Sequence, residues 1–467
     1  MLLTFITVLS LTDTALAKSF LPINTDAGAP AAAPSISSEN AIVADNNTGT
    51  ILYSKGNLTS KIYPASLTKI ITALVTAENV DDPDNAIVTV SRKACNLTSG
   101  ASVMGLEPGD KISVTDLLYG LLLRSGNDAA IALAEFVGGS VDSFVEMMNN
   151  KAAEMGAVNT NFKNPHGMHN EEHYSCLNDM LIFASVLTEN QTLAAIVSTY
   201  SHTVNITRSS RKVTLELTNT NQLLNRESTY YNKYFTGMKT GTTNAAGYCL
   251  ASRYQKNGKD LLILTFKGHD ENFYSDTLKL AEYADASFAV VNLREIFAAR
   301  DFAIKIDNAS AADSNNGLLT LRFSEVPDIT YTTTSALAQA IKNQADPLRI
   351  VLPENLSAPI YTGDSVGKAT IYMGENILLE GELIATRTVL DHIEVPDDLV
   401  ALYIQNERPA SLWSAVLIVL GVIVGIAVIF ALFLIIKLII HNKKQRSGRR
   451  SNVYSRRSRP TRTSNGY

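Results

Sequence analysis

The sequence predicts an α+β fold: an antiparallel sheet flanked by helices and carrying a helical subdomain, followed by a smaller β-rich domain and a C-terminal transmembrane helix. Three observations predict it. Strand-like segments bracket a long helical stretch, the order of an α+β domain rather than of an alternating α/β chain. The 467 residues exceed one ordinary core, so two folded domains with appended segments are expected. Residues 412–436 form an uncharged apolar run that would span roughly 37 Å as a helix, against a hydrocarbon core of about 30 Å.

The elements follow in order. Residues 2–11 are mostly apolar and Ala15-Leu16-Ala17 resembles a signal-peptidase site, so 1–17 read as a signal peptide. No basic residue precedes that stretch and Asp13 follows it, which would fit a start upstream of Met1. Residues 18–38, rich in Ala, Pro and Ser toward their end, read as a flexible lead-in. The catalytic-type domain is expected over 39–291. It opens with apolar runs at 41–44 and 50–53 around Asp45-Asn46-Asn47-Thr48-Gly49, a strand-turn-strand pattern. After Pro64, the residues Leu67, Ile70, Ile71, Leu74 and Val75 carry the spacing of a buried helix face. Ser113 and Asp116 are placed to cap a helix through 117–123; Gly126 breaks it, and Asn127 or Asp128 starts the next.

Strand signals return at 234–240, 247–254 and 261–266, the last two joined by Asn257-Gly258, a strong hairpin signal. Residues 278–289 read as a closing helix. From 292 to 396 short strands alternate with turns, as in 369–372, Gly374-Glu375-Asn376 and 377–379, and form the β-rich domain.

Charge separates the ends from the bulk. Residues 437–467 hold ten Lys and Arg and no acid, leaving 30 Lys and Arg against 45 Asp and Glu elsewhere. A basic tail abutting an apolar span is a topology signal before it is a nucleic-acid site, so the tail is expected in the cytoplasm and the acidic bulk outside. The apolar run also resembles a buried core helix, but such helices are rarely uninterrupted for so long. Cys95, Cys176 and Cys249, odd in number and widely spaced, give no disulfide framework and read as packing residues.

Three short motifs carry chemistry: Ser66-Leu67-Thr68-Lys69, Ser125-Gly126-Asn127 and Lys239-Thr240-Gly241. Each alone is weak, since composition predicts about one chance S-x-x-K in such a chain. Context strengthens them. Ser66 falls in the first turn of a helix, which brings Lys69 to the same side with side-chain roots roughly 5–6 Å apart. A neutral lysine there deprotonates the hydroxyl, and the helix N-terminus favours the charge that develops. Lys69 also reads as a solvated surface charge, Ser125 or Asn127 as a helix cap, and the third motif as a strand-terminal turn in which Gly241 leaves room for a substrate backbone.

Together the motifs resemble the penicillin-binding and serine β-lactamase superfamily. Tyr63-Pro64-Ala65 before the first motif, Asn164-Pro165-His166-Gly167-Met168, His173-Tyr174-Ser175, and Thr242-Thr243-Asn244 with Ala246-Gly247-Tyr248-Cys249-Leu250 narrow the likeness to low-molecular-mass D-alanyl-D-alanine carboxypeptidases. The resemblance covers roughly 39–388 and implies a β-lactamase or penicillin-binding-protein-like fold. It also implies peptidoglycan stem peptides ending in D-Ala-D-Ala as substrate, β-lactams as covalent inhibitors and no cofactor. By the same resemblance Ser66 is the nucleophile, Lys69 its base and Ser125 a proton relay. Asn127 holds the peptide; Lys239, Thr240 and Thr242 bind the terminal carboxylate beside Gly241; and the N–H groups of Ser66 and Thr242 form the oxyanion hole.

His166, His169 and His173 with Glu171 and Glu172 suggest metal-ligand spacing, but Pro165 and Gly167 argue against a helix presenting them on one face, so no metal is expected. A class A-like β-lactamase should carry an E-x-x-L-N segment after the second motif, and the sequence has none. A non-catalytic wall-binding protein would have little reason to keep Ser66, Lys69, Ser125 and Lys239 together.

Overall fold

The computed structural model describes residues 20–22, 32–343, 348–373, 376–391 and 412–448. The signal peptide at 1–17, much of the lead-in, the turn at Gly374-Glu375 and the basic tail beyond Gly448 lie outside the described residues. The chain divides into two units, Met1–Leu390 and Asp391–Tyr467.

The larger unit opens with β1 (Leu21–Pro22), β2 (Asn40–Asp45) and β3 (Thr50–Lys55). Asp45 makes the turn between the last two, its carboxylate accepting from the Asn47 N–H and the Thr48 hydroxyl, both at 2.8 Å. A 3₁₀ turn at Ala65–Thr68 then feeds α1 (Lys69–Asn79), which is buried from Lys69 to Thr76. This helix runs through the middle of the helical subdomain, so even its polar positions face protein. Around it come β4 (Ile87–Thr89), α2 (Arg92–Cys95), β5 (Lys111–Ser113), α3 (Val114–Leu122), α4 (Asn127–Gly138), α5 (Val141–Glu154), α6 (Leu177–Glu189) and α7 (Gln191–Ser198). Ser113 caps α3 by accepting from the Asp116 N–H, as its position predicts. A hairpin that sequence patterning did not single out, β6 (Ser201–Arg208) with β7 (Arg211–Thr218), joins β4 and β5 in a four-stranded sheet.

Next come β8 (Phe235–Thr243), β9 (Gly247–Lys256) and β10 (Lys259–Gly268), followed by α8 (Asn272–Ser287). Asn257 at φ 54° and Gly258 at φ 78° form the two-residue turn of the β9–β10 hairpin, both residues left-handed as a primed turn requires. The sheet order is β1-β3-β2-β10-β9-β8, which leaves β8 at an edge. Side-chain alternation sorts the central strands onto two cores. Ile42, Ala44, Leu262 and Leu264 join the core of the helical subdomain, while Ala41, Val43, Leu261 and Ile263 meet α8.

Two expected boundaries move. The strand read at 234–240 runs on to Thr243, because Thr240, Gly241, Thr242 and Thr243 all pair with β9, so the third motif lies inside the strand and not at its end. The closing helix starts earlier, at Asn272, and stops at Ser287. The residues from Phe288 leave it for β11 (Phe288–Asn292), whose Val291 belongs to another core.

That third core underlies the β-rich region: α9 (Leu293–Phe297), β12 (Phe302–Lys305), β13 (Leu318–Phe323), β14 (Thr330–Thr334), α10 (Ser335–Lys342), β15 (Leu348–Val351), β16 (Ser365–Met373) and β17 (Asn376–Ala385). β11 pairs with β14, and a five-stranded antiparallel sheet has the order β12-β13-β17-β16-β15. The α+β class with a β-rich region after it is as the sequence predicts. In the second unit a helix spans Leu412–Gly448, longer than the apolar run that announced it, and within it Val419–Lys437 is apolar enough to cross a membrane.

Candidate active site

Ser66 sits in the 3₁₀ turn ahead of α1, after Ala65 at φ 47°. Lys69, fully buried, brings Nζ to 3.0 Å from the Ser66 hydroxyl and donates to Asn127 Oδ1 at 2.8 Å and to the His166 carbonyl at 2.7 Å. Burial holds its ammonium well below the ordinary lysine range. The nearby charge of Lys239 lowers it further, and Asp128 opposes both.

The second motif occupies the break between α3 and α4. Ser125 stands at φ 58° and is buried. Gly126 is required there: a Cβ would come within 2.7 Å of Asp128 Oδ1 and 3.2 Å of the Gly120 carbonyl. Asp128 is the anchor of this corner. Its buried carboxylate accepts from the N–H groups of Met104, Gly105 and Leu106 at 2.9 to 3.1 Å, while the Ser102 carbonyl accepts from Asn127 N–H at 2.8 Å.

The third motif closes the cleft from β8. A Cβ on Gly241 would stand 2.9 Å from Ser66 N, so the bare backbone is what lets the strand reach the nucleophile. Lys239 is buried behind Thr240, donating to its carbonyl at 2.9 Å, and burial lowers its ammonium to about 7. A cavity of about 320 Å³ is walled by Ser66, Ser125, Thr240, Gly241, Thr242 and Thr220. A larger cleft, about 620 Å³, lies at Asn257, Asn292 and Lys342 and gathers none of the motif residues.

The structure thus gathers Ser66, Lys69, Ser125, Asn127, Thr240, Gly241 and Thr242 about one cleft, with Lys239 behind it. It adds residues that sequence reasoning missed. Thr220 meets Thr240 hydroxyl to hydroxyl at 2.6 Å. Tyr274 fixes its backbone, donating to the Thr220 carbonyl at 3.0 Å and accepting from the Gln222 N–H at 3.2 Å. No periodicity announces such contacts; they are made between distant elements.

His166, His169 and His173 engage different partners. His166 Nδ1 accepts from the Met168 N–H, His169 meets Tyr63 edge-on at 4.8 Å, and both nitrogens of His173 are engaged within the protein. Burial lowers the imidazolium of His166 to about 3 and of His173 to about 4, so both are neutral at pH 7. Among the described residues no three His, Cys, Asp or Glu side chains converge as a metal site.

Comparison with known proteins fits this geometry. The profile of the family described as D-alanyl-D-alanine carboxypeptidase matches residues 27–269, and that of the penicillin-binding protein 5 C-terminal domain matches 328–390. The chain is 30% identical over 353 residues to the D-alanyl-D-alanine carboxypeptidase DacF of Bacillus subtilis, covering 74% of this chain and 84% of that one. The crystal structure of the D-alanyl-D-alanine carboxypeptidase DacD from Francisella tularensis superposes with a TM-score of 0.58 at 26% identity, over 77% of this chain and 95% of that one. The Streptomyces K15 DD-transpeptidase gives 0.51 at 32% identity, over 54% and 98%. With a serine and a buried lysine in contact at the head of α1 and matches of this extent on both sides of it, the chain belongs to the D-alanyl-D-alanine carboxypeptidase family.

Proposed function

We propose that the protein is a serine-type D-alanyl-D-alanine carboxypeptidase that removes the terminal D-alanine of peptidoglycan stem peptides through an acyl-enzyme on Ser66. The observation that carries the mechanism is the contact of Ser66 with a lysine buried whole. A neutral amine has two N–H bonds and one lone pair. With the N–H bonds given to Asn127 Oδ1 and the His166 carbonyl, the lone pair of Lys69 is left for the Ser66 proton.

Ser66 Oγ attacks the carbonyl carbon of the penultimate D-alanine while Lys69 takes its proton. The N–H groups of Ser66 and Thr242 stabilise the oxyanion. Ser125 passes a proton to the departing amine, and the amide N–H₂ of Asn127 holds the peptide. The terminal carboxylate meets Thr240, Thr242 and Thr220, with the charge of Lys239 behind them. Water then releases the peptide. β-Lactams acylate the same oxygen, and the adduct persists. The two glutamates of the loop beside Lys69, Glu171 and Glu172, are exposed, whereas the group this loop offers Lys69 is the His166 carbonyl, which favours a peptidase over a β-lactamase.

The apolar C-terminal helix serves as a single-pass anchor, with catalytic regions outside the cell and the basic tail inside. Protease added to intact cells should remove the catalytic region and spare the tail; tail cleavage in sealed cells would reverse the topology. For the chemistry, the protein is labelled with a fluorescent penicillin and digested. The adduct is expected on the peptide containing Ser66, together with release of free D-alanine from small D-Ala-D-Ala peptides. Labelling elsewhere, or turnover that survives Ser66→Ala, refutes the mechanism.

A further inference from the structure

The turn that carries the nucleophile is held by a loop outside the three motifs. Ala65 has a left-handed backbone that is uncommon for a residue with a Cβ, so its surroundings must fix it. Its carbonyl accepts from the buried Thr68 hydroxyl at 2.8 Å. Thr68 Oγ1 in turn lies 2.8 Å from Nε2 of His173. The other ring nitrogen, Nδ1, accepts from the Lys163 N–H at 3.1 Å, which puts the one proton of the neutral ring on Nε2.

The order of donation follows: His173 donates to Thr68, and Thr68 donates to Ala65. His173 is 2% exposed and meets Phe162 edge-on at 5.5 Å, so the ring has little room to turn. The same loop presses Gly167 onto the same carbonyl. A Cβ there would stand 1.9 Å from Ala65 O and 2.9 Å from Thr68 Oγ1.

The carbonyl of Ala65 and the N–H of Ser66 are the two ends of one planar amide. Whatever aims the first aims the second. We infer that His173, acting through Thr68, is a positioning residue that orients the Ser66 N–H toward the substrate's carbonyl oxygen, an inference that rests on the oxyanion-hole role proposed above. The loop 163–173 is then part of the catalytic apparatus without touching substrate. Its contribution falls on the transition state, where the oxygen gains charge, more than on the bound peptide.

The test uses the full chain in detergent with His173→Gln, His173→Asn and Thr68→Val. Glutamine carries an amide N–H toward the place of Nε2, asparagine reaches only as far as Nδ1, and valine keeps the shape of threonine without its hydroxyl. Two quantities are read: the rate constant of acylation by penicillin, and the affinity for a D-alanine-like boronic acid. The tetrahedral adduct of that acid on Ser66 puts an oxygen in the oxyanion hole. Both should fall about tenfold or more in His173→Asn and Thr68→Val and stay within about threefold in His173→Gln, with the peptide KM little changed.

A purely structural role would lower the unfolding temperature yet leave both quantities intact in folded protein, and that result overturns the inference. Equal losses in the glutamine and asparagine variants also overturn it. Should His173→Asn fail to fold, Thr68→Val decides. If the unsubstituted protein forms no adduct on Ser66, the acyl-enzyme reading itself fails, and the inference with it.

Discussion

Around Ser66 the chain holds Lys69, Asn127, Asp128, His173 and Lys239 at 3% exposure or less. The sheet from β12 to β17 closes instead over Leu319, Leu321, Ile371 and Leu383; it keeps the ion pairs Arg322 with Asp301 and Lys368 with Glu380 at the surface and sinks only Arg387 with Asp313 partway, as a bidentate pair. Among the described residues beyond Ser287 the buried polar groups are threonine hydroxyls, with no buried charge. Both regions fold by hydrophobic closure, but only the first takes charged residues fully out of water, which is unfavourable unless they are paired or neutralised. Charge burial, more than any pocket's size, separates the working region from the supporting one.

The sharpest way to break this contrast is Lys69→Arg, which keeps a cation but one that stays protonated. Acylation of Ser66 by penicillin should fall about a thousandfold, as loss of a general base implies. If the folded variant acylates at the native rate, Lys69 is not the base and its burial needs another explanation.

A smaller effect is expected at Lys239. Lys239→Ala should cut kcat/KM for peptides with a free C-terminus by roughly ten- to a hundredfold, the worth of one charged contact. Peptides amidated at that end should be poor substrates beforehand and change little. The sign of the pH effect follows from the lowered ammonium. Above about 7 Lys239 loses its charge, so KM for free peptides should rise with pH, while the acid limb of acylation belongs to Lys69. In Lys239→Arg the alkaline rise should vanish; its persistence would assign it to another group.

The smallest effect on activity should come from the supporting region. Leu383→Ala empties part of its core and should destabilise it by about 2–5 kcal/mol. Turnover per folded molecule should be unchanged. A parallel loss of acylation rate would join the two regions functionally.

What the sequence disclosed follows from the range of its signals. Asn257-Gly258 announces its hairpin because turn chemistry is local. The helix after Ser66 shows in the spacing of Ile70, Ile71 and Leu74. The β6–β7 hairpin turns through Ser209 and Ser210, both left-handed without being Gly, Asn or Asp, so the strong turn signal is missing there. Gly241 reads as the end of a strand, yet its bareness serves the approach to Ser66 from within the strand. Thr220, Tyr274 and His173 act through partners 20 to 105 residues away, where neither periodicity nor composition reaches.

The place of β8 at the margin of its sheet has a consequence of its own. A strand at a sheet margin offers an incoming chain pairing through the main-chain groups that any residue carries, whatever its side chain. Under the mechanism proposed above, discrimination is then concentrated at one terminus of the guest, at the cavity that Thr220, Thr240 and Thr242 line. An enzyme working by that mechanism would read the last letters of a word and ignore its beginning, so a cell could rewrite the inner residues of its stem peptides without having to rebuild this cleft.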